Sequence, residues 1–406
     1  MKPLAVAVAA CAVAAATPCA ADAPGLDAAR IGAAIRAGAQ AHFGFWDSAR
    51  HAAFSAAWRR YRATASRLGD RDAVDLEAIR LVAALRNGRT WFADPAFEAN
   101  RRWRLPFALR YADGVWFAAE SRSAAIPDGA VLREIDGVPA ERFFSAHRDL
   151  LFASSEAQAR TLLDAEMHRV DSDARAPRLL FDDDREFVPA VPANETAPAR
   201  VTFRWLSLDR VGYIVIPSFA DPADERDALN AVKHFIAADA IVVDVRGNDG
   251  GATPVDLLEL ITDRVLPWWR ESTNAPKPAR RPIVDGHIPP ADGHYRGRVV
   301  IVADERCASS CEDFVMPLVA SQRARFVGAR TYGSAGDPYV ARLDGGITLA
   351  FGSIRAALPG GAAVEGVGIP PTDPVALHLA DVRAHADAQL ERAVAIAERP
   401  QVSSAR

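Results

Sequence analysis

Ala240-Ile-Val-Val-Asp-Val-Arg-Gly-Asn-Asp-Gly-Gly251 is an apolar strand that runs straight into a polar, glycine-rich turn. A strand with near-continuous apolar character is buried on both faces, as in a parallel sheet covered by helices. The same rhythm extends outward in both directions. Upstream, Val211-Gly-Tyr-Ile-Val-Ile-Pro217 reads as a buried strand and residues 224–237 as a helix. Downstream come a helix over 255–262, a strand over Arg298-Val-Val-Ile-Val-Ala303 and a helix over 312–321. Alternating strands and helices predict an α/β domain with a largely parallel sheet over residues 209–380.

The rest of the chain is organised differently. Residues 1–21 begin Met-Lys, continue in an Ala/Val-rich run and end in small residues, the pattern of a signal peptide. Residues 22–89 carry apolar positions at three- and four-residue spacing, for example Leu76, Ile79, Leu81 and Leu85. They read as about three helices, with Asp70 and Asp72 as caps and Asn87-Gly88 as a stop. Residues 90–208 switch to short strands and turns, including Trp91-Phe92, 105–109 and 115–118. Residues 182–199 read as a loop or linker. Residues 376–398 read as one Ala-rich helix, with 381–406 as a C-terminal helix and tail.

Composition narrows the class. Half the residues are hydrophobic and the net charge is −4, which argues against a nucleic-acid partner because such proteins leave a basic footprint. After loss of a leader, about 385 residues remain, enough for two or three domains. Only Cys307 and Cys311 then remain as cysteines. They can pair in an oxidising compartment or stay as two buried thiols. No metal-binding spacing, P-loop or dinucleotide fingerprint is present, so neither a metal nor a cofactor is implied.

Two turns carry chemistry. In Gly250-Gly251 the backbone is free to approach a bound group and present N–H donors. Cys307-Ala-Ser-Ser-Cys-Glu312 follows a buried strand and opens a helix, where α/β folds place reactive groups. Ser309 there is either a nucleophile or the N-cap of a capping box closed by Glu312, and the two roles are compatible.

Taken in order, "D-x-R-G-N-x-G-G", "S-S-x-E", Val327-Gly-Ala-Arg-Thr-Tyr-Gly-Ser-Ala-Gly336, Gly345-Gly346 and Val364-Glu-Gly-Val-Gly-Ile-Pro-Pro371 resemble the catalytic domain of the tail-specific (C-terminal-processing) serine protease family. That resemblance implies a Clp/crotonase-like fold over residues 211–374. It implies Ser309 as nucleophile and the N–H groups of Ser310, Gly250 and Gly251 as an oxyanion hole. Ser334 stands where one branch of the family has the lysine of a Ser–Lys dyad. The chain therefore looks nearer the tricorn and retinoid-binding-protein-like branch, whose Ser–His–Ser–Glu set implies Glu365 as the acid. Residues 127–139, with an Asp136-Gly137 turn before Val138-Pro139, resemble the core of a PDZ module, which makes 90–208 a β-rich, PDZ-like region.

The position of the family's histidine base holds Arg89, in Asn87-Gly88-Arg89-Thr90. Arginine stays protonated in proteins and is a poor proton acceptor. A guanidinium at that position is expected to point at Ser309 and to pair with Glu365. None of the nine histidines lies in a base motif of the family. Two functions follow. One is a periplasmic or secreted serine endopeptidase acting on peptides or proteins through an acyl-enzyme on Ser309. The other is an impaired relative that binds extended peptides or hydrophobic ligands in the same cleft. Acyl-CoA chemistry on the same fold is a weaker third option, since that cofactor is cytosolic.

Overall fold

The computed structural model describes residues 28–170, 175–192, 199–206 and 210–399. The leader read at 1–21 lies outside the described residues. At the centre is a six-stranded sheet, in the order Asp373–Pro374, Ala324–Gly328, Arg298–Ala303, Ala240–Asp244, Val211–Val215, Thr202–Leu206. The first five strands are parallel; the last is an antiparallel edge.

The register explains the unbroken apolar runs. Val242 lies opposite Val300 on one side and Tyr213 on the other. Successive side chains point to opposite faces. Ile241 and Val243 pack into a core with the helices Pro222–His234, Val255–Ile261 and Ser310–Ala320. Ala240 and Val242 pack instead against Ala393 and Ile396 of the helix Ala388–Ala397. Both faces are dry, so neither tolerates polar alternation. The single terminal helix expected over 376–398 is in fact two, Leu379–Arg383 and Ala388–Ala397. His385 between them has φ 52°, which ends the first, and the Asp387 side chain caps the second by accepting from the Leu390 N–H.

Three helices, Ala28–His42, Ser48–Thr64 and Arg71–Ala83, open the described chain. Asp70 caps the third, accepting from the Ala73 N–H, whereas Asp72 is buried and paired with Arg101 at 2.8 Å. The core of these helices includes Leu349 and Phe351, which lie far along the chain. The strand Trp91–Ala93 runs antiparallel to Thr348–Gly352 rather than joining the strands that follow it. This pairing places residues 87–90 beside Thr348–Gly352 in a separate three-stranded sheet completed by Pro338–Arg342: the Gly352 N–H donates to Thr90 Oγ1 at 2.8 Å.

Beyond it, Ala108–Ala112 and Val115–Ala119 form a hairpin. Leu132–Ile135 turns through Asp136-Gly137, both at positive φ, into Val138–Pro139. Leu179–Phe181 and Glu186–Phe187 extend that sheet. Leu105-Pro106-Phe107, expected as a strand, lies outside one, since proline gives the ladder no donor. The region is also more helical than its sequence pattern indicates, with helices at Ala140–His147, Glu156–Arg160 and Leu163–Val170. Among the described residues no helix is long and apolar enough to cross a membrane.

Candidate active site

Both chemistry-bearing turns leave the carboxyl ends of neighbouring parallel strands, Ala240–Asp244 and Arg298–Ala303. That adjacency brings residues 247–251 against residues 304–310. Asp304 takes the Gly247 N–H at 2.9 Å, the Ala308 N–H donates to Asn248 O at 3.1 Å, and Ser310 Oγ donates to Gly251 O at 2.7 Å. Gly250, at φ 106°, lies directly beneath the serine. A Cβ there would sit 2.7 Å from Ser309 Cβ and 3.0 Å from Ser310 N, so only glycine fits.

Ser309 precedes the helix Ser310–Ala320 with φ 56° and ψ −124°, outside the regions open to a side-chain-bearing residue. Holding such a conformation costs about 1–3 kcal/mol and marks a residue whose side chain is being aimed. The capping-box reading is corrected here. Ser309 is the N-cap by position, but its side chain makes no capping bond. Glu312 does not reach back to it either. Its carboxylate is buried and accepts from Thr331 Oγ1, the Gly333 N–H at 2.9 Å and the Ser334 N–H at 2.7 Å. Glu312 thereby moors the turn where a Ser–Lys dyad would have its lysine. Burial pushes its pKa up to about 7, against those three donors.

Ser309 Oγ accepts from Arg89 Nη1 at 2.7 Å. The expected Arg89–Glu365 pair is not formed. Among the described residues Glu365 Oε2 and Arg89 Nε have no hydrogen-bond partner. Glu365 Oε1 instead accepts from Ser154 Oγ, and from the Gly88 N–H at 3.1 Å. The Gly88 N–H also donates to Ser154 Oγ at 3.0 Å. Burial raises the Glu365 pKa, while Ser154, Gly88 and Arg89 pull it back. One chain of contacts therefore runs from Glu365 through Ser154 and Gly88 to Arg89 and Ser309.

Of the three amides singled out in the sequence, Gly250 N–H is already committed to Asn248 Oδ1 at 2.9 Å. Among the described residues no protein acceptor takes the Gly251 or Ser310 N–H. These two are the donors open to a bound oxygen, and Gly250 supplies room rather than a hydrogen bond.

Sequence reading missed Ser154 and Gln158. The Gln158 side chain is buried; its Oε1 accepts the Ser154 N–H at 2.6 Å and its Nε2 donates to Tyr332 O at 2.9 Å and Gly333 O at 2.7 Å. It fastens the Ser154 segment to the turn that Glu312 holds from below. In sequence, Ser154 is one of two adjacent serines before a short helix, and Ser155 is the one that caps it. Nothing in local spacing marks Ser154 apart.

The sulfurs of Cys307 and Cys311 are bonded, so a disulfide flanks Ser309 on both sides.

Comparison with known proteins agrees with this architecture. Residues 210–375 match the model of peptidase family S41. Over 270 residues, 62% of this chain, the sequence is 28% identical to a protein of Streptomyces coelicolor described as a tricorn protease homolog. The match spans 21% of that protein's length, so the chain covers about a fifth of the curated relative. The structure of mature CPAF superposes with a TM-score of 0.67 at 15% identity, covering 88% of this chain and 94% of that one. The photosystem II D1 C-terminal processing protease gives 0.54 at 18% identity, covering 92% and 97%. The chain has the mixed α/β fold of these structures, and over residues 210–375 its sequence matches peptidase family S41.

Proposed function

We propose that Ser309 is the nucleophile of a serine-type peptidase site and that Arg89 holds this site in a slow, ligand-retaining form. The observation that carries the reading is the Arg89 Nη1 hydrogen bond to Ser309 Oγ at 2.7 Å. A peptide carbonyl at Ser309 would rest its oxygen on the Gly251 and Ser310 N–H groups, which stabilise negative charge as it develops. Attack by Oγ then requires its proton to leave. Arg89 already donates to that oxygen and cannot accept the proton. Glu365 contacts Ser154 and Gly88, not Ser309. Acyl-enzyme formation is therefore limited at proton transfer.

The chain of contacts from Glu365 through Ser154 supports a position nearer the tricorn-like branch, with arginine where that branch has histidine. Export to the periplasm or outside the cell belongs to the same proposal. The leader-like residues 1–21 and the Cys307–Cys311 bridge support it, since disulfides persist in oxidising compartments. In this reading the PDZ-like strands over 90–208 hold the substrate chain.

A second reading is favoured by the same arginine. A peptide-end carboxylate at Ser309 would accept from Arg89 and from the two open amides, giving a binding protein with a peptidase fold. Fluorophosphonate labelling of the native chain, with Ser309→Ala as control, separates the two. Slow labelling that needs Ser309 supports the peptidase. No labelling, together with saturable binding of a peptide that amidation of its C-terminus abolishes, supports the binder. Fast native turnover would overturn the claim that Arg89 impairs the site.

A further inference from the structure

The bridge has its own relation to the nucleophile. Cys307 and Cys311 stand two residues before and two residues after Ser309, and both are fully buried. Between them lies the one residue of the turn at positive φ, and it is not glycine. A serine left to itself relaxes out of φ 56°, ψ −124°. Hydrogen bonds hold the turn from outside: Cys307 N–H to Asp304 O at 3.0 Å, Tyr332 N–H to Cys307 O at 2.9 Å, and Ala308 N–H to Asn248 O at 3.1 Å. All three act at or before residue 308; past it the contacts from outside run through side chains, Arg89 Nη1 to Ser309 Oγ and Ser310 Oγ to Gly251 O, each at 2.7 Å. At residue 309 itself, Gly250 leaves space but exerts no pull.

We infer that the Cys307–Cys311 bridge is a positioning pair for Ser309. By tying the last residue before the turn to the first turn of the helix, it fixes the backbone that aims Oγ at the cleft and presents the Ser310 N–H. The inference rests on Ser309 being the reactive group of the proposed peptidase site. Loss of the bridge lets the 308–311 backbone turn toward ordinary helical values, swinging Oγ away from Arg89 and the open amides while the sheet and its cores stay in place. The bridge acts only through backbone, so its effect depends on residue 309 having a side chain.

The test uses the full chain with Cys307→Ala and Cys311→Ala together, and Cys307→Ser with Cys311→Ser as a second pair should the first fold poorly. Hydrogen exchange by mass spectrometry over residues 305–320 is read first, since it needs no activity. Exchange at 311–313, whose amides donate to Ala308 O and Ser309 O, should rise at least about tenfold while strand 298–303 is unchanged. The rise should vanish when Ser309→Gly is added, because glycine accepts the conformation unaided. Fluorophosphonate labelling is read second, in an Arg89→His background. It should slow by on the order of tenfold to a hundredfold without the bridge, the usual effect of a small misplacement of a reacting group. Unchanged exchange at 311–313 in both bridge-free pairs, or a rise that persists with Ser309→Gly, overturns the inference and leaves a general staple. If Arg89→His is not labelled even with the bridge intact, the peptidase reading fails, and exchange alone still decides the role of the bridge.

Discussion

Replacing Arg89 by histidine is the sharpest perturbation of this site. Arg89 places a permanent donor 2.7 Å from Ser309 Oγ and, among the described residues, leaves its own buried Nε without a hydrogen-bond partner. Arg89→His removes the donor from the nucleophile, removes the orphaned Nε–H, and introduces a group able to accept a proton. The backbone that carries it is already set: the residue 89 N–H donates to Asn87 Oδ1 at 3.0 Å, and the Gly88 N–H is bound to Ser154 and Glu365. A positioned general base contributes typically about 10²–10⁴-fold, or about 3–5 kcal/mol off the barrier. Hydrolysis of a generic peptide or ester should rise by that factor over the native chain and fall to background when Ser309→Ala is added. The gain should also carry a pH signature, climbing through the histidine pKa near about 6.5 as the imidazole loses its proton. The native chain should lack that limb. Arg89→Gln, which removes the cation and adds no base, should show little gain. Strong native turnover abolished by Ser309→Ala would refute the reasoning, because some other group would then be taking the proton. So would a folded Arg89→His variant as silent as its parent.

Gly250→Ala should cost about 1–3 kcal/mol in denaturant unfolding and abolish labelling of Ser309, since φ 106° and the 2.7 Å approach to Ser309 Cβ leave no room for a methyl group. Gln158→Ala strands the Ser154 N–H and two carbonyls, and should cost roughly 1–3 kcal/mol for each group that water cannot reach; an unchanged melting midpoint would count against its role as a fastener. Non-reducing peptide mapping should find Cys307 linked to Cys311, and removing both should cost about 2 kcal/mol of stability for so short a loop. Glu166 is buried and, among the described residues, has no hydrogen-bond partner, and burial raises its pKa to about 9. A carboxyl raised in the folded state favours folding fully below its unfolded value near about 4.3, and that contribution is lost as pH rises towards 9. Glu166→Gln should therefore raise the thermal midpoint at pH 8 and flatten its decline between pH 5 and 9; a parallel decline in both proteins would sink this.

Much of this protein was legible in local pattern. The apolar run 240–243 and the strands at 211 and 298 specified a doubly covered parallel sheet, because burial on both faces removes alternation whatever the partners are. Glycine at 250 was readable because close approach and positive φ exclude other residues, and Arg89 could be set against Ser309 once the ordered motifs were recognised. What stayed hidden depends on segments that meet only after folding. The pairing of Trp91–Ala93 with Thr348–Gly352 left no mark on either strand alone, since an antiparallel ladder is written in backbone groups that every residue has. Gln158 came to the site from a short helix and Ser154 from the residue before its cap, and the capping explains only Ser155 between them. Whether Gly250 or Gly251 offers its amide turned on the Asn248 side chain folding back onto Gly250. Ser309 looked like the head of a capping box because cap and nucleophile share the same letters. Only the backbone angle at that residue, set by the packed turn around it, aimed the hydroxyl at Arg89 instead of at its own helix.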